Sequence, residues 1–458
     1  MTNPFPSPWL PPGVMSSRSA IALVALAVAV SAGPAAAETW TLDRVLAQVR
    51  AGDPGVQAAE ALGRAGRAEG GAAWSALLPR LRFESGLLRT DDPAVLFSEK
   101  LWQGRFTEED FALDALNFPD PETALQYGFV LEQPIWNRGA EVTTPALAGH
   151  VGAAASANEE ARVADHILGA VETWVGAARA RDALRADSLA VRASRENLRS
   201  AVELHLRGQV AELDTLRAAA RYGEAELGRL DSRKEYAVSI DRLASLVGQP
   251  VAAADVAGLE PQALNALPAL PDTAVSQLIA DYHGDLRSAE ERAEALAIES
   301  RRSAYAFAPS LNSRFTYTWY RPWDDGGSED RWAAGLALAW PLFDGGRLVR
   351  ERQMATARAE AARADAQVLR RTLATAATAA REERAIADER VRVTRAASAA
   401  ATEALRLASA RYAAGLLPQS ELLQAEAGAA RARQDEIDAA AGLVLAHYRY
   451  LHAIGELR

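Results

Sequence analysis

The sequence contains no cysteine. Disulfide staples, thiol nucleophiles and thiolate metal ligands are therefore excluded. Histidine is scarce, at six residues, and methionine scarcer, at three. His150, His166, His205, His283, His447 and His452 show no metal-ligand spacing, so neither a metal nor a cofactor is expected. No glycine-rich phosphate loop and no nucleophile elbow is present, so no catalytic residue is assigned and the chain does not read as an enzyme. Beyond the N-terminus, no window holds the roughly 18 apolar residues of a membrane-spanning helix. A basic patch is missing as well. The net charge is −10, which argues against a nucleic-acid partner.

What is present is mostly helix-forming. Hydrophobic residues make up 49% of the 458, but much of that is alanine, which favours helix and close helix approach over a bulky core. Arg18 precedes an apolar run from Ile21 to Val30, and Ala35-Ala36-Ala37 offers small residues for cleavage before Glu38. Residues 1–37 are therefore predicted to be an export signal, with Met15 an alternative start.

Two segments carry nearly the same text at a fixed distance. QPIWNRGAEV surrounds Pro134 and WPLFDGGRLV surrounds Pro341. LRGQVAELDTL around Gly208 pairs with AAGLLPQSELL around Gly415, and LVGQP at Gly248 with AIGEL at Gly455. Pro134 and Pro341, Gly139 and Gly346, Gly208 and Gly415, and Gly248 and Gly455 are each 207 positions apart. Four punctuation points in register predict one unit duplicated in tandem. The expected division is a first copy at 38–248, a linker at 249–271 with four prolines, and a second copy at 272–458.

Each copy reads as helix, strand, strand, long helix, reversal and helix. Residues 41–78 are helical with a break near Asp53-Pro54, and Leu81–Leu88 is a strand. Residues 91–122 show no sustained period and read as a long loop. Leu125–Trp136 alternates, with Tyr127 and Phe129 on one face. In the second copy 272–308 is helical. Leu311–Tyr320 alternates with Phe315, Tyr317 and Trp319 on one face. Asp324-Asp325-Gly326-Gly327 is a turn, and Trp332–Trp340 alternates again. Measured from Pro79 and Pro309, the first hairpin connection is 23 residues longer than the second. Residues 140–207 and 347–414 each read as one helix, about 100 Å long at 1.5 Å per residue. The second contains neither glycine nor proline. Val163, Ile167, Ala170, Trp174 and Ala177 step by four and three, the rhythm of coiled-coil packing.

Four strands with aromatic faces suit a lipid environment. Four cannot close a barrel, and an open edge in lipid leaves backbone groups unsatisfied. Several chains must therefore contribute to one barrel. The alternative reading is a non-conducting periplasmic coiled-coil adaptor or scaffold, which has no need of lipid-facing Tyr127, Phe129, Phe315, Tyr317, Trp319, Trp332 and Trp340.

QPIWNRG, WPLFDGG, the doubled element order and RYAAGLLPQSELLQAEA together resemble the outer membrane efflux protein family, the TolC-like channels, over nearly all the mature sequence. The resemblance implies a mainly α fold with membrane β: a homotrimer with a twelve-stranded barrel, four strands per protomer, and a long coiled-coil α-barrel. It implies an outer membrane duct extending into the periplasm, serving a tripartite efflux pump or type I secretion system. Its partners would be outer membrane lipid, a periplasmic adaptor and an inner-membrane transporter. It implies a periplasmic gate at the helical reversals. There Glu421 falls at an acidic ring and Gln424 falls where a second acid is usual. Tyr412 and Asp214 match a tyrosine and an aspartate that link neighbouring coils. Gly208 and Gly415, which end the long helices, and the apolar Leu416, Leu417, Leu422 and Leu423, with Ala425, are the candidate adaptor-contact tips, because an exposed apolar tip marks a partner surface.

Overall fold

The computed structural model describes residues 39–260, 264, 271–323 and 327–457. The export-signal segment, much of the linker and the Asp324-Asp325 turn lie outside the described residues. Chain from Thr39 onward forms one unit.

The first helices follow their caps. Thr41 Oγ1 accepts the Arg44 amide and starts α1 (Leu42–Gly52). Asp53 then accepts the amides of Gly55 and Val56 and starts α2 (Pro54–Ser75), with Pro54 at the first helical position. Proline there loses no hydrogen bond and has the right φ, so the Asp-Pro break is a new helix start. In the second half α7 (Asp272–Tyr282) and α8 (Gly284–Ser303) take the same places.

Four strands form one antiparallel sheet in the order β1 (Arg80–Thr90), β2 (Glu122–Asn137), β3 (Ser310–Pro322) and β4 (Glu329–Ala339). Pairing sets Phe83 opposite Phe129, Phe129 opposite Tyr317, and Tyr317 opposite Trp332. Opposed residues share a face, so one face gathers Phe83, Tyr127, Phe129, Phe315, Tyr317, Trp319 and Trp332. Tyr127 and Trp319 stack at 5.6 Å, and Phe83 meets Phe129 edge-on at 5.4 Å. The other face carries Arg82, Glu132 and Arg314, with Glu132 3.0 Å from Arg82 and 3.4 Å from Arg314. Trp340 lies one residue past β4, where its Nε1 donates to the Phe307 carbonyl at 3.0 Å.

Residues 91–122 differ from the expected loop. They contain α3 (Pro93–Trp102), a 3-10 turn at Glu108–Phe111 and α4 (Leu113–Asn117). The cause is again an Asp-Pro pair: Asp92 accepts the amides of Ala94 and Val95, and Pro93 opens the helix. Only ten residues long, α3 is too short to announce itself by periodicity.

Strand becomes helix through two consecutive left-handed residues. These are Arg138 (φ 51°) with Gly139 (φ 74°), and Gly345 (φ 71°) with Gly346 (φ 86°). Left-handed φ strains any residue with a Cβ, which explains three glycines among the four positions. Beyond them run α5 (Ala140–Leu206) and α9 (Arg347–Ala413), each 67 residues. They reverse into α6 (Glu212–Val247) and α10 (Gln419–Ala453). α5 packs along α6 and α9 along α10, while α2, α8 and α10 also flank α5.

The main core sits where these helices and the chain start converge. Ile167, Val171, Trp174, Leu243 and Val444 are buried with Trp40, Val256 and Leu457. Trp40 and Val256 form a parallel β-bridge, and Trp174 Nε1 donates to the Trp40 carbonyl at 2.9 Å. No helix among the described residues is long and apolar enough to cross a membrane.

Candidate functional site

The two helical reversals are built alike. At the first, the Gly208 amide donates to the His205 carbonyl and that of Gln209 to Leu204. At the second, the Gly415 amide donates to Tyr412 and that of Leu416 to Arg411. These are paired Schellman bonds around a left-handed glycine, φ 72° and 70°. The following helices start on Ala211 and Pro418, neither of which caps with a side chain. Asp214 and Glu421 each occupy the third helical position. Their amides donate to Ala211 and Pro418 at 3.0 and 3.1 Å. The acids supply the negative charge that a helix start without a side-chain cap favours.

A small core ties the reversals together. Tyr412, 2% exposed, packs with Ala201, Leu204, Ala218 and Leu422. Its hydroxyl has no hydrogen-bond partner among the described residues. Burial, reinforced by the nearby Asp214 charge, raises its pKa. Within one chain, then, the Tyr412 hydroxyl and Asp214 are neighbours without a hydrogen bond. The bond across the hairpins is made instead by Gln419, whose Nε2 donates to the Asp214 carbonyl. Asp214 itself lies 3.8 Å from Arg217.

The remaining predicted residues separate by exposure. Glu421 and Gln424 are exposed. Leu416 is 76% exposed, Leu417, Leu423 and Ala425 are half-buried, and Leu422 is interior at 1%. Leu422 therefore belongs to the packing of the reversal and is not surface. At the first tip Leu206, Leu213 and Leu216 are exposed at 79, 53 and 61%. Sequence reading passed over these three, although their positions flank Gly208 as Leu416 flanks Gly415.

A second feature escaped sequence reading. Glu426 of α10 is buried, about 16 Å along the helix from the tip. Asn197 of α5 donates an amide hydrogen bond to it, and Arg221 of α6 lies 3.7 Å away. Burial raises its pKa, opposed by those two neighbours. A charged residue within a helical run carries no sequence signal of burial; only the pairing of the two hairpins encloses it. No group of residues placed to hold a metal ion occurs among the described residues.

A sheet with one aromatic and one charged face, joined to two hairpins of helices up to 67 residues long, defines the fold of an outer membrane channel protomer. Residues 275–455 match the family model described as outer membrane efflux protein. The fold resembles that of the outer membrane protein VceC from Vibrio cholerae, with TM-score 0.73 and 18% identity over 90% of this chain and 96% of that one. It also resembles a membrane protein from Pseudomonas aeruginosa (TM-score 0.75, 19% identity, 90% and 93% covered). The open state of the MtrE outer membrane channel of Neisseria gonorrhoeae is similar too (TM-score 0.74, 17% identity, 91% and 89% covered). No curated protein matches by sequence. The family match covers the second half of the chain, and the fold of the described chain is that of these outer membrane channels.

Proposed function

We propose that three copies of this chain form a passive exit duct through the outer membrane, with the long helices extending into the periplasm. The observation that carries this reading is the sheet. Its aromatic face leaves Trp332, Leu336 and Leu338 more than half exposed. Its opposite face carries the Arg82, Glu132 and Arg314 charges. Its outer strands β1 and β4 are both open edges. Lipid accepts the first face, demands water on the second, and forbids the open edges. Pairing β4 of one copy with β1 of the next satisfies all three, and three copies supply twelve strands.

The resemblance is equally the support for the periplasmic gate and the partners, while the tandem-repeat division rests on the 207-residue spacing of the two copies. In this reading Glu421 and Gln424 of three chains ring the helical end. Tyr412 and Asp214 hold neighbouring coils closed. Leu416, with Leu417 and Leu423, meets a periplasmic adaptor that couples the duct to an inner-membrane transporter. Drug efflux and type I protein secretion both fit such a duct.

The test is single-channel recording of the detergent-extracted protein in a planar bilayer. Stable cation-preferring steps, blocked from one side by multivalent cations, are expected. A protein that stays monomeric and never enters the bilayer overturns the duct in favour of a soluble coiled-coil scaffold.

A further inference from the structure

The 23 extra residues of the first hairpin connection are folded, and they lie on one particular face of the sheet. Within α3, Leu96 and Glu99 are buried, as is Gln103 just beyond its end. Spacings of three and four put them on one stripe. The stripe covers the charged face. Glu99 accepts a hydrogen bond from the Gln126 side chain of β2. Trp102 packs on Tyr320 of β3 with ring centroids 5.1 Å apart. Lys100 and Arg105 bridge to Glu122 at 3.0 and 2.5 Å. A Cβ built on Gly104 would lie 3.7 Å from Glu329 of β4. Gln126 pairs with Tyr320, and Tyr320 with Glu329. All of these therefore belong to the face that also bears Glu132 and Arg314.

The insertion has a small core of its own. Phe97, Phe106 and Phe111 form a ring cluster with centroids 4.6 to 6.4 Å apart. Lys100 also reaches Asp110 at 2.8 Å. Leu113 and Phe118 are 78 and 82% exposed. The insertion joins β1 to β2 at the sheet end opposite the long helices.

We propose that residues 93–118 form a lid inside the external mouth of the duct, seated on its water-facing wall by Glu99, Lys100 and Trp102, with Leu113 and Phe118 meeting the same residues of the other copies. This rests on the duct reading, because that reading makes the charged face the lumen wall. The duct then has a constriction at its exit, distinct from the helical end. Between Pro93 and Pro121 the chain carries six acids and two bases, so the narrowed exit is negative and favours cations.

The absence of cysteine makes the test direct. Thr318 lies on the charged face, opposite Gly128 and Arg331. Thr318→Cys gives a single thiol, probed in intact cells with a bulky, membrane-impermeant maleimide. Labelling is compared in the full chain, in a chain with 93–118 replaced by a short Asn-Gly turn, and in a full-length Glu99→Ala/Trp102→Ala chain. Both altered chains are expected to label roughly tenfold faster, the loss of about 1.4 kcal/mol of lid contacts. The double substitution keeps the test valid if the deletion does not fold. Equal rates in all folded chains overturn the lid and leave the duct standing. A thiol at Thr318 that stays unlabelled in every chain but reacts in denaturant places this face outside the lumen, and overturns lid and duct together.

Discussion

Glu426 of α10 and Arg221 of α6 lie 3.7 Å apart across the two helical hairpins, with the glutamate side chain only 4% exposed. The contact is lopsided. One carboxylate oxygen takes the Asn197 amide, while the other has no hydrogen-bond partner among the described residues. Burial is the largest influence on this acid and raises its pKa. A raised acid binds its proton more readily in the folded chain than in the unfolded one. Stability contributed here is therefore present at low pH. It falls as pH rises from the ordinary glutamate value of 4.5 through the raised folded value. The slope in that window is at most about 1.4 kcal/mol per pH unit. Glu426→Gln is expected to remove that component from the pH dependence of amide exchange in α10. An unchanged pH profile in the variant sinks this assignment.

Tyr412 separates packing from hydrogen bonding. Its ring is enclosed and its hydroxyl makes no bond within the chain. Tyr412→Ala is expected to cost about 3–5 kcal/mol, the usual penalty for emptying an aromatic core position. Tyr412→Phe should change stability by less than about 1 kcal/mol. If Tyr412 and Asp214 hold neighbouring coils closed, Tyr412→Phe/Asp214→Ala raises single-channel conductance at nearly constant stability. Unaltered conductance in that double variant ends the gate role for the pair.

Gly415 holds φ at 70° with open space where a Cβ would go. Strain, without collision, is thus the sole cost of Gly415→Ala, about 1–2 kcal/mol. Denaturant midpoints should show the same loss for Gly208→Ala, at φ 72°. A loss confined to one of the two would mean that the reversals are not equivalent.

The two faces of β4 call for opposite results from one substitution. Leu336 lies on the aromatic face and Ala337 on the charged one. Leu336→Arg is expected to destabilise by about 2–4 kcal/mol in a bilayer, as a lipid-facing arginine does near the midplane. Ala337→Arg should be nearly neutral. Unfolding of the reconstituted protein checks both, and equal penalties would refute the facing of the sheet.

Much of this architecture was legible in the sequence because its signals are local and repeated. Gly208 and Gly415 mark the ends of both long helices, and Asp53-Pro54 was readable as a break, though not as the start of a second helix. The strand alternation around Phe129 and Trp319 identified the aromatic face directly. What escaped depends on tertiary enclosure. Glu426 is one acid among many on helical faces, and nothing in its neighbours along the chain marks it as buried. Leu422 sits in a run of apolar residues at a turn, where surface and interior read alike. The helix after Asp92-Pro93 was missed although it opens with the same pair as α2, because ten residues are too few to establish a period.

The core that encloses Trp40 also encloses Leu457. Trp40 and Leu457 are thus parts of a single packed cluster, more than four hundred residues apart along the chain. In the order of synthesis the members of this cluster arrive in stages: Trp174 and Val256 midway, and Leu457 at the last. A polypeptide delivered from its N-terminus therefore completes this cluster only when Leu457 arrives. Losing the final few residues would take Leu457 out of that cluster, so truncation at the far terminus weakens a core that the start of the chain helps to build.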